Sequence, residues 1–314
     1  MKSTDPAIAV RGLTKRYGET LAVDDISFEV APGSVFAFVG TNGAGKSTTI
    51  SCLTTVTPLD RGEVSVAGKD VRQDGDAVRA AIGVVFQDSI LDPLLTAREN
   101  LRVRGRFYSA DAGAVDARIS ELSTLIGLDD ILDRRYGKFS GGQRRRVDIA
   151  RALMPSPSII FLDEPTAGLD PASRAQVWST IQELRDRHGL TVFLTTHYME
   201  ETEEADQVCM IDHGRIVAEG TPAQLRAKHS RSVLTVTTRD RAALASIVAS
   251  AGRELDGDGD LVRIAVDTAD EARALLAAHG DNVADFEFRH GTMDDVFLAL
   301  TGGAGAANEA RATA

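Results

Sequence analysis

The chain is short of the features that mark several large functional classes. Its 314 residues include only two cysteines, Cys52 and Cys209, far apart and without metal-ligand spacing. That argues against a disulfide framework and fits a reducing compartment. Positive charge is in deficit: 35 Lys and Arg stand against 46 Asp and Glu, a formal net charge of -11. A general nucleic-acid binder needs clustered cations for the phosphate backbone, so nucleic acid is not an expected partner, although a local basic patch stays open. Apolar runs are short as well. None approaches the ~18 uninterrupted apolar residues of a membrane span, and Met1 to Val10 lacks the apolar core of a signal peptide. The protein is expected to be soluble on its own, and a membrane role would need a partner chain. No long-period repeat is present.

What is there is a globular composition, 43% hydrophobic and 26% charged, on a length that suggests two domains and a sizeable core. The most informative stretch is Gly40-Thr41-Asn42-Gly43-Ala44-Gly45-Lys46-Ser47-Thr48. Val35 to Val39 before it reads as a buried parallel strand, and Thr49 to Leu53 after it as a helix start. Strand, glycine loop and helix is the context of a phosphate-binding loop. Gly43 and Gly45 permit a tight turn whose N–H groups point at phosphate oxygens, and the helix N-terminus adds its positive end. Lys46 would reach the outer phosphates, and the Ser47 hydroxyl would hold Mg²⁺.

Before the loop, Ile8 to Val10 and Ile26 to Val30 read as strands of an antiparallel layer. Tyr17, at a Tyr-Gly turn, has two readings: a half-buried turn aromatic, which is favoured, and a ring that stacks on a base. Glu63 to Val71 and Ile82 to Phe86 read as further strands. Gln87 ends the second, where its amide can meet Mg²⁺ or water, or be an ordinary surface glutamine. From Asp92 to Leu128 the pattern is helical, with Thr96 to Leu101 as a capped start. Ser140-Gly141-Gly142-Gln143 then opens another helix, Ser140 serving as N-cap, and offers a second anion site. The run Arg144-Arg145-Arg146 reads as a solvated helix face in preference to a nucleic-acid patch, given the acidic balance.

Ser158 to Leu162 forms an apolar strand that delivers Asp163 and Glu164 to its C-terminal end, the edge at which open α/β sheets bind ligands. Asp163 would hold Mg²⁺ through water, and Glu164 would polarise an attacking water. Ala167-Gly168-Leu169-Asp170 is a tight loop before a helix from Pro171. Leu190 to Thr196 is another apolar strand, ended by His197; a lone strand-end His is more often structural, but this strand is expected to neighbour the Asp163-Glu164 strand, which favours the functional reading of His197. Gln207 to Asp212 and Arg215 to Ala218 read as a strand pair. After Gly220 the order βαβαβα suggests a small separate α/β domain over 230–302. Its Asp256-Gly257-Asp258-Gly259-Asp260 segment is better read as a hairpin-like acidic turn than as a calcium loop, for lack of a closing Glu. Residues 303–314 are expected to be disordered.

Taken together and in this order, the phosphate loop, Gln87, Ser140 to Gln143, the Asp163-Glu164 strand, the Ala167 to Asp170 loop and His197 resemble the ATP-binding subunit of ABC transporters over residues 7–228. Thr195 to Glu201, the arginine run and the ending Met293 to Gly302 resemble its daunorubicin-resistance type. Thr41 replaces a usual proline, Phe139 a usual leucine, and Gln143 is often another residue in this type. The resemblance implies an α/β fold: a P-loop NTPase core of the ABC ATPase kind, an antiparallel β layer, a helical subdomain at about 90–155, and the small C-terminal α/β domain as an accessory. It implies that Tyr17 stacks on adenine and that the whole loop from Gly40 to Thr48, Asn42 and Ala44 included, holds the phosphates of ATP. It implies that Ser140 and Gly142, with Gly141 and Gln143 beside them, reach the γ-phosphate held by a second copy in a head-to-tail homodimer. Gln87 would sense Mg²⁺ and contact a separate integral membrane permease, Asp170 would bridge the copies, and Glu164 with His197 would serve hydrolysis. The place implied is the cytoplasmic face of the membrane and the work is export of a drug-like or lipid-like compound. The alternative is a soluble ABC ATPase of translation or DNA repair. Against it stand a single phosphate loop, where translation types carry two cassettes, and the absence of a sustained heptad insert.

Overall fold

Alternating apolar residues make a hairpin of β1 (Ile8–Tyr17) and β2 (Thr20–Val30), with Ile8 opposite Val30 and Tyr17 opposite Thr20. The computed structural model describes residues 5–301, so the expected tail at 303–314 lies outside the described residues. β1 is longer than expected because register shifts after Val10 and Leu13 keep Leu13 in the core. β3 is Val35–Val39, and α1 is Lys46–Leu53. β4 (Arg61–Val66) pairs with β1, and β5 (Lys69–Asp70) folds back on β4 through Ala67 and Gly68, both at positive φ. The single strand expected over 63–71 is therefore a small hairpin, and the layer runs β2-β1-β4-β5. A helix that the sequence reading left out, α2 (Gly75–Ala81), leads into β6 (Ile82–Val85).

The second sheet has six strands in the order β10-β9-β3-β8-β7-β6. Here β7 is Ile159–Asp163, β8 Thr191–Thr196, β9 Gln207–Asp212 and β10 Arg215–Gly220. All are parallel except β10, which pairs antiparallel with β9. β3, β7 and β8 are buried at every position, as unbroken apolar runs in a parallel sheet require. Five phenylalanines join the layers. Phe28 of the hairpin lies 5.4, 5.5 and 6.0 Å, centre to centre, from Phe36, Phe38 and Phe193, and Phe161 lies 5.4 Å from Phe193. Each fully buried ring contributes roughly 1.5–3 kcal/mol. This core holds the C-terminal edge of the parallel sheet in one register.

Between β6 and β7 the helical segment comprises α3 (Ala97–Gly105), α4 (Ala112–Ile126) and α5 (Gly141–Leu153). Thr96 and Glu99 form a reciprocal capping box, as do Ser140 and Gln143. On α4, Val115, Ile119, Leu122 and Ile126 form the buried stripe that helical spacing predicts. The arginine run departs from expectation. Arg144 is exposed, but Arg145 and Arg146 are each only 8% exposed. Arg146 donates to the carbonyl of Gly127 at 2.7 Å, closing the end of α4, and Arg145 donates to Phe86 and Gln87 carbonyls. A guanidinium has five donors for backbone carbonyls that lack helical or sheet partners, a demand that net charge does not report. α6 (Pro171–His188) follows β7, with Asp170 as its cap.

The chain divides into two compact units, Met1–Thr221 and Pro222–Ala314. α7 (Pro222–His229), which the sequence reading grouped with the first domain, falls in the second and packs on α10 (Met293–Thr301). The rest of that unit is β11 (Ser232–Thr238), α8 (Arg241–Ser250), β12 (Leu255–Asp256), β13 (Leu261–Val266), α9 (Ala269–His279) and β14 (Val283–Arg289). Its strand order is β12-β13-β11-β14, antiparallel throughout. The two-residue β12, too short to signal itself, pairs with β13 across the acidic turn, so the order from β11 to α10 is βαββαβα, which contains a split βαβ, and not the expected βαβαβα. The turn is a hairpin, as its Gly/Asp composition indicated.

Candidate functional site

Sheet register assembles the site. Val39 lies level with Thr196, and Asp163 with Thr195. The chain therefore leaves β3, β7 and β8 at one edge and one height, bringing Gly40, Glu164 and His197 together. β8 neighbours β7, the placement expected for a functional His197, and stands between β7 and β3. Asn42, Gly43, Gly45, Lys46, Ser47, Thr48, Gln87, Glu164 and His197 line a common cleft with Ala22 and Ala167. Gly40 and Ala44 are buried and do not line it. Gly45 has φ of 112°, and a Cβ there would lie 2.5 Å from the Ala22 carbonyl oxygen, so only glycine fits where the loop enters α1.

Lys46, 5% exposed, donates to the carbonyls of Gly40 at 2.9 Å and Thr41 at 3.1 Å. Its Nζ is 3.5 Å from Glu164 Oε1. Burial pulls the Lys46 pKa below its ordinary value, and the Glu164 and Asp163 carboxylates oppose that shift. His197 Nδ1 approaches Glu164 Oε2 to 3.2 Å without hydrogen-bond geometry. Glu164 itself has φ of 47°, a left-handed conformation that costs a non-glycine residue about 1–3 kcal/mol and persists only where its surroundings impose it. Three contacts impose it. The Glu164 N–H donates to Thr195 Oγ1 at 3.0 Å, Thr195 Oγ1 donates to Asp163 Oδ1 at 2.6 Å, and Arg145 Nη2 donates to the Glu164 carbonyl at 3.4 Å. Ser47 Oγ donates to the same Asp163 oxygen at 3.3 Å. A serine hydroxyl and a carboxylate in contact, with the Gln87 amide in the same cleft, form a hard-oxygen donor set of the kind Mg²⁺ prefers.

A second cluster gathers away from the cleft lining. Gly142, at the start of α5, abuts the start of α6: a Cβ there would lie 2.6 Å from Ser173 Oγ. A Cβ on Gly141 would lie 2.9 Å from Leu169 Cδ2. Asp170 accepts the Ser173 N–H at 3.0 Å and the Ser173 hydroxyl at 2.6 Å, which hold its carboxyl below the usual range. Gly141 and Gly142 are thus brought against Leu169 and Ser173, on either side of Asp170, and none of Ser140, Gly141, Gly142 and Gln143 lines the cleft that holds Lys46. Tyr17, 49% exposed at the tip of the first hairpin, also stands outside the cleft lining, with the Lys15 ammonium 5.3 Å from its ring centre.

Two contributors escaped the sequence reading. Thr195 carries a signal: a hydroxyl pair, Thr195-Thr196, ends an otherwise apolar strand at a ligand edge. Arg145 carries a weaker one, three residues from Gly142 and four from Ile149 on the buried side of α5.

Comparison with known proteins bears on this geometry. The family model described as ABC transporter matches residues 23–167. The chain is 38% identical over 307 residues to a daunorubicin resistance ATP-binding protein of Streptomyces coeruleorubidus, covering 94% of this chain and 95% of that protein. It is 40% identical to the daunorubicin/doxorubicin resistance ATP-binding protein of Streptomyces peucetius, with 94% and 92% covered. A Nod factor export ATP-binding protein of Paraburkholderia xenovorans is 37% identical, with 95% and 98% covered. Among solved structures, cbiO1 of Clostridium perfringens, part of an ABC transporter complex, aligns with TM-score 0.67 and 27% identity over 71% of this chain and 92% of that one. A dimeric ATP-binding cassette bound to ADP and phosphate after hydrolysis aligns with TM-score 0.62 and 27% identity over 68% and 98%.

Proposed function

This chain belongs to the ABC transporter family as an ATP-binding subunit of the daunorubicin-resistance type, and on that premise we propose that it hydrolyses ATP to power export through a separate membrane permease. The observation that carries the reading is the meeting of Lys46, Glu164 and His197 at one sheet edge, with Glu164 within 3.5 Å of Lys46 and 3.2 Å of His197. The loop from Gly40 to Thr48 presents N–H groups and the Lys46 cation to a triphosphate. Ser47, Asp163 and Gln87 would hold Mg²⁺, which when bound would neutralise phosphate charge. Glu164 orients and polarises the attacking water, and His197 beside it steadies developing charge on the phosphate. Tyr17 offers its exposed ring to the adenine.

The second cluster completes the site in trans. Two copies meet head to tail, Ser140 to Gln143 of one facing the γ-phosphate bound by the other, with Asp170 across the junction. Closure then depends on the γ-phosphate, and hydrolysis releases it. On this reading the permease is a separate chain and this subunit works from the cytoplasmic face; among the described residues no helix is long and apolar enough to cross a membrane. The cargo class is drug-like or lipid-like, by analogy with the named exporters. The small domain over 230–302 would tune assembly or the stability of the permease. No observation favours the translation or repair reading.

The test is phosphate release and size-exclusion chromatography with Mg-ATP on wild type and Glu164→Gln. Wild type should hydrolyse ATP. The variant should lose at least a hundredfold in kcat and elute as an ATP-dependent dimer, because it keeps the binding groups and lacks the basic carboxylate. A variant that hydrolyses at the wild-type rate contradicts the role of Glu164.

A further inference from the structure

His197 is followed by a short, tight 3₁₀ helix, Met199–Glu204, that carries four glutamates. Glu200, Glu203 and Glu204 are exposed, as an acidic turn should be, while Glu201 is only 3% exposed. A buried carboxylate must find donors. Those of Glu201 are two hydroxyls from separate segments. Thr166 Oγ1 donates to its Oε1, and Thr196 Oγ1 donates to its Oε2 at 2.8 Å. The nearest cation recorded against it, Arg174 Nε at 3.6 Å, is beyond hydrogen-bond reach.

The identity of those two threonines gives the contact its meaning. Thr166 lies two residues after Glu164 and is fully buried; Thr196 immediately precedes His197. The Thr196 hydroxyl also accepts the N–H of Tyr198 at 3.0 Å, on the far side of His197. Arg174 adds a third arm, its guanidinium 4.5 Å from the Tyr198 ring, which in turn lies 4.1 Å from the His197 ring. One carboxylate therefore braces the segments on both sides of the Glu164–His197 pair without lining the cleft itself. For stability alone an apolar side chain of similar size would serve as well, since a desolvated carboxylate is costly. Fixing two reacting groups to within a fraction of an ångström is a different demand, and charge-assisted hydrogen bonds meet it.

We propose that Glu201 is a positioning residue for ATP hydrolysis: through Thr166 and Thr196 it holds Glu164 and His197 in register. This rests on the ATPase reading above. The experiment uses the full chain and the isosteric variants Thr166→Val and Thr196→Val, Glu201→Gln, and the double variant Thr196→Val/Glu201→Gln. Each is measured for kcat, for affinity toward a fluorescent ATP analogue, and for melting temperature. We expect kcat to fall three- to tenfold for each threonine variant and tenfold or more for Glu201→Gln. Nucleotide affinity should stay within twofold, and the double variant should be no slower than Glu201→Gln, because both changes cut one brace. Unchanged kcat in the folded threonine variants overturns the proposal, whether or not Glu201→Gln folds. So does a loss of nucleotide affinity in step with kcat, which would mark a general loosening. If wild type hydrolyses nothing, it is the ATPase reading that fails, and this role falls with it.

Discussion

The Lys46 ammonium stands 3.5 Å from Glu164 Oε1, both side chains nearly shut off from solvent at 5% and 12% exposure. One cation thus serves both the phosphate loop and the carboxylate assigned to hydrolysis. Because burial pulls the Lys46 pKa down, the charge is held at some cost to the fold. Lys46→Met removes one member of that pair and leaves Glu164 and the Gly40 and Thr41 carbonyls without their donor, so it should cost about 1–3 kcal/mol of stability and weaken Mg-ATP binding at least tenfold. Urea unfolding and a fluorescent nucleotide titration measure the two effects. Equal nucleotide affinity in both proteins would remove Lys46 from the site.

Arg145 links the second cluster to the cleft. From α5 its guanidinium reaches the carbonyls of Phe86 at 2.7 Å, Gln87 at 3.0 Å and Glu164 at 3.4 Å. Asp148, one turn further on, accepts from Ser89 at 2.9 Å and from the Tyr136 hydroxyl at 3.1 Å, tying the same segment down again. Lysine is a single point donor and cannot span this fork. Arg145→Lys should cost about 1–3 kcal/mol of stability for carbonyls left unpaired. It should also lower kcat five- to twentyfold with nucleotide affinity nearly unchanged. Wild-type kcat in a folded variant would reduce Arg145 to a packing role.

Legibility divided along physical lines. The phosphate loop, the Asp163-Glu164 strand end and the capping boxes at Thr96 and Ser140 could be read from the sequence because each is a local pattern whose partners lie within a few residues. The Arg145 contact spans 59 residues to Phe86, and the Thr195–Asp163 bond spans 32. No periodicity encodes such pairings; only the strand order does. The solvated reading of Arg145 and Arg146 failed for this reason: net charge describes the surface, while these cations answer unpaired carbonyls inside. In the second unit β12 was missed because two residues carry no alternation, and its pairing with β13 changes the topology.

The buried thiols make stability sensitive to alkali. Cys52 is 1% exposed, and burial pushes its thiol from 9.0 up to about 11. Cys209 is displaced in the same direction by burial. A pKa raised in the folded state gives stability that is complete below the unfolded value and lost as pH climbs through the folded one. Between pH 9 and 11 the Cys52 contribution should fall by roughly 2–3 kcal/mol. Urea midpoints at pH 8 and pH 10.5 for wild type and Cys52→Ala isolate it, since other alkaline groups titrate equally in both. An equal fall in the two proteins would show that Cys52 is not shielded.

The docking surface for the permease should be the start of the helical insert. It hangs from the strand that ends at Gln87, so movement there follows the nucleotide cleft. It also exposes large apolar side chains that a lone surface has no reason to display: Ile90 is 62% and Leu94 74% exposed. Glu99 lies on the same stretch, but its carboxylate accepts the Thr96 N–H at 2.8 Å and closes the cap of α3. A charge change at Glu99 would therefore disturb the helix start and say little about docking. Leu94→Glu and Ile90→Glu avoid that fault, since neither side chain belongs to the core. Co-expressed with its permease, wild type should appear in the membrane fraction. Each variant should lower that fraction at least fivefold while nucleotide affinity holds. Phe107→Glu, 76% exposed beyond the end of α3, serves as the control for a merely more acidic insert. Recruitment that survives both Leu94→Glu and Ile90→Glu would place the docking surface elsewhere on the chain, and wild type that never leaves the cytosol with its permease present would count against the exporter reading itself.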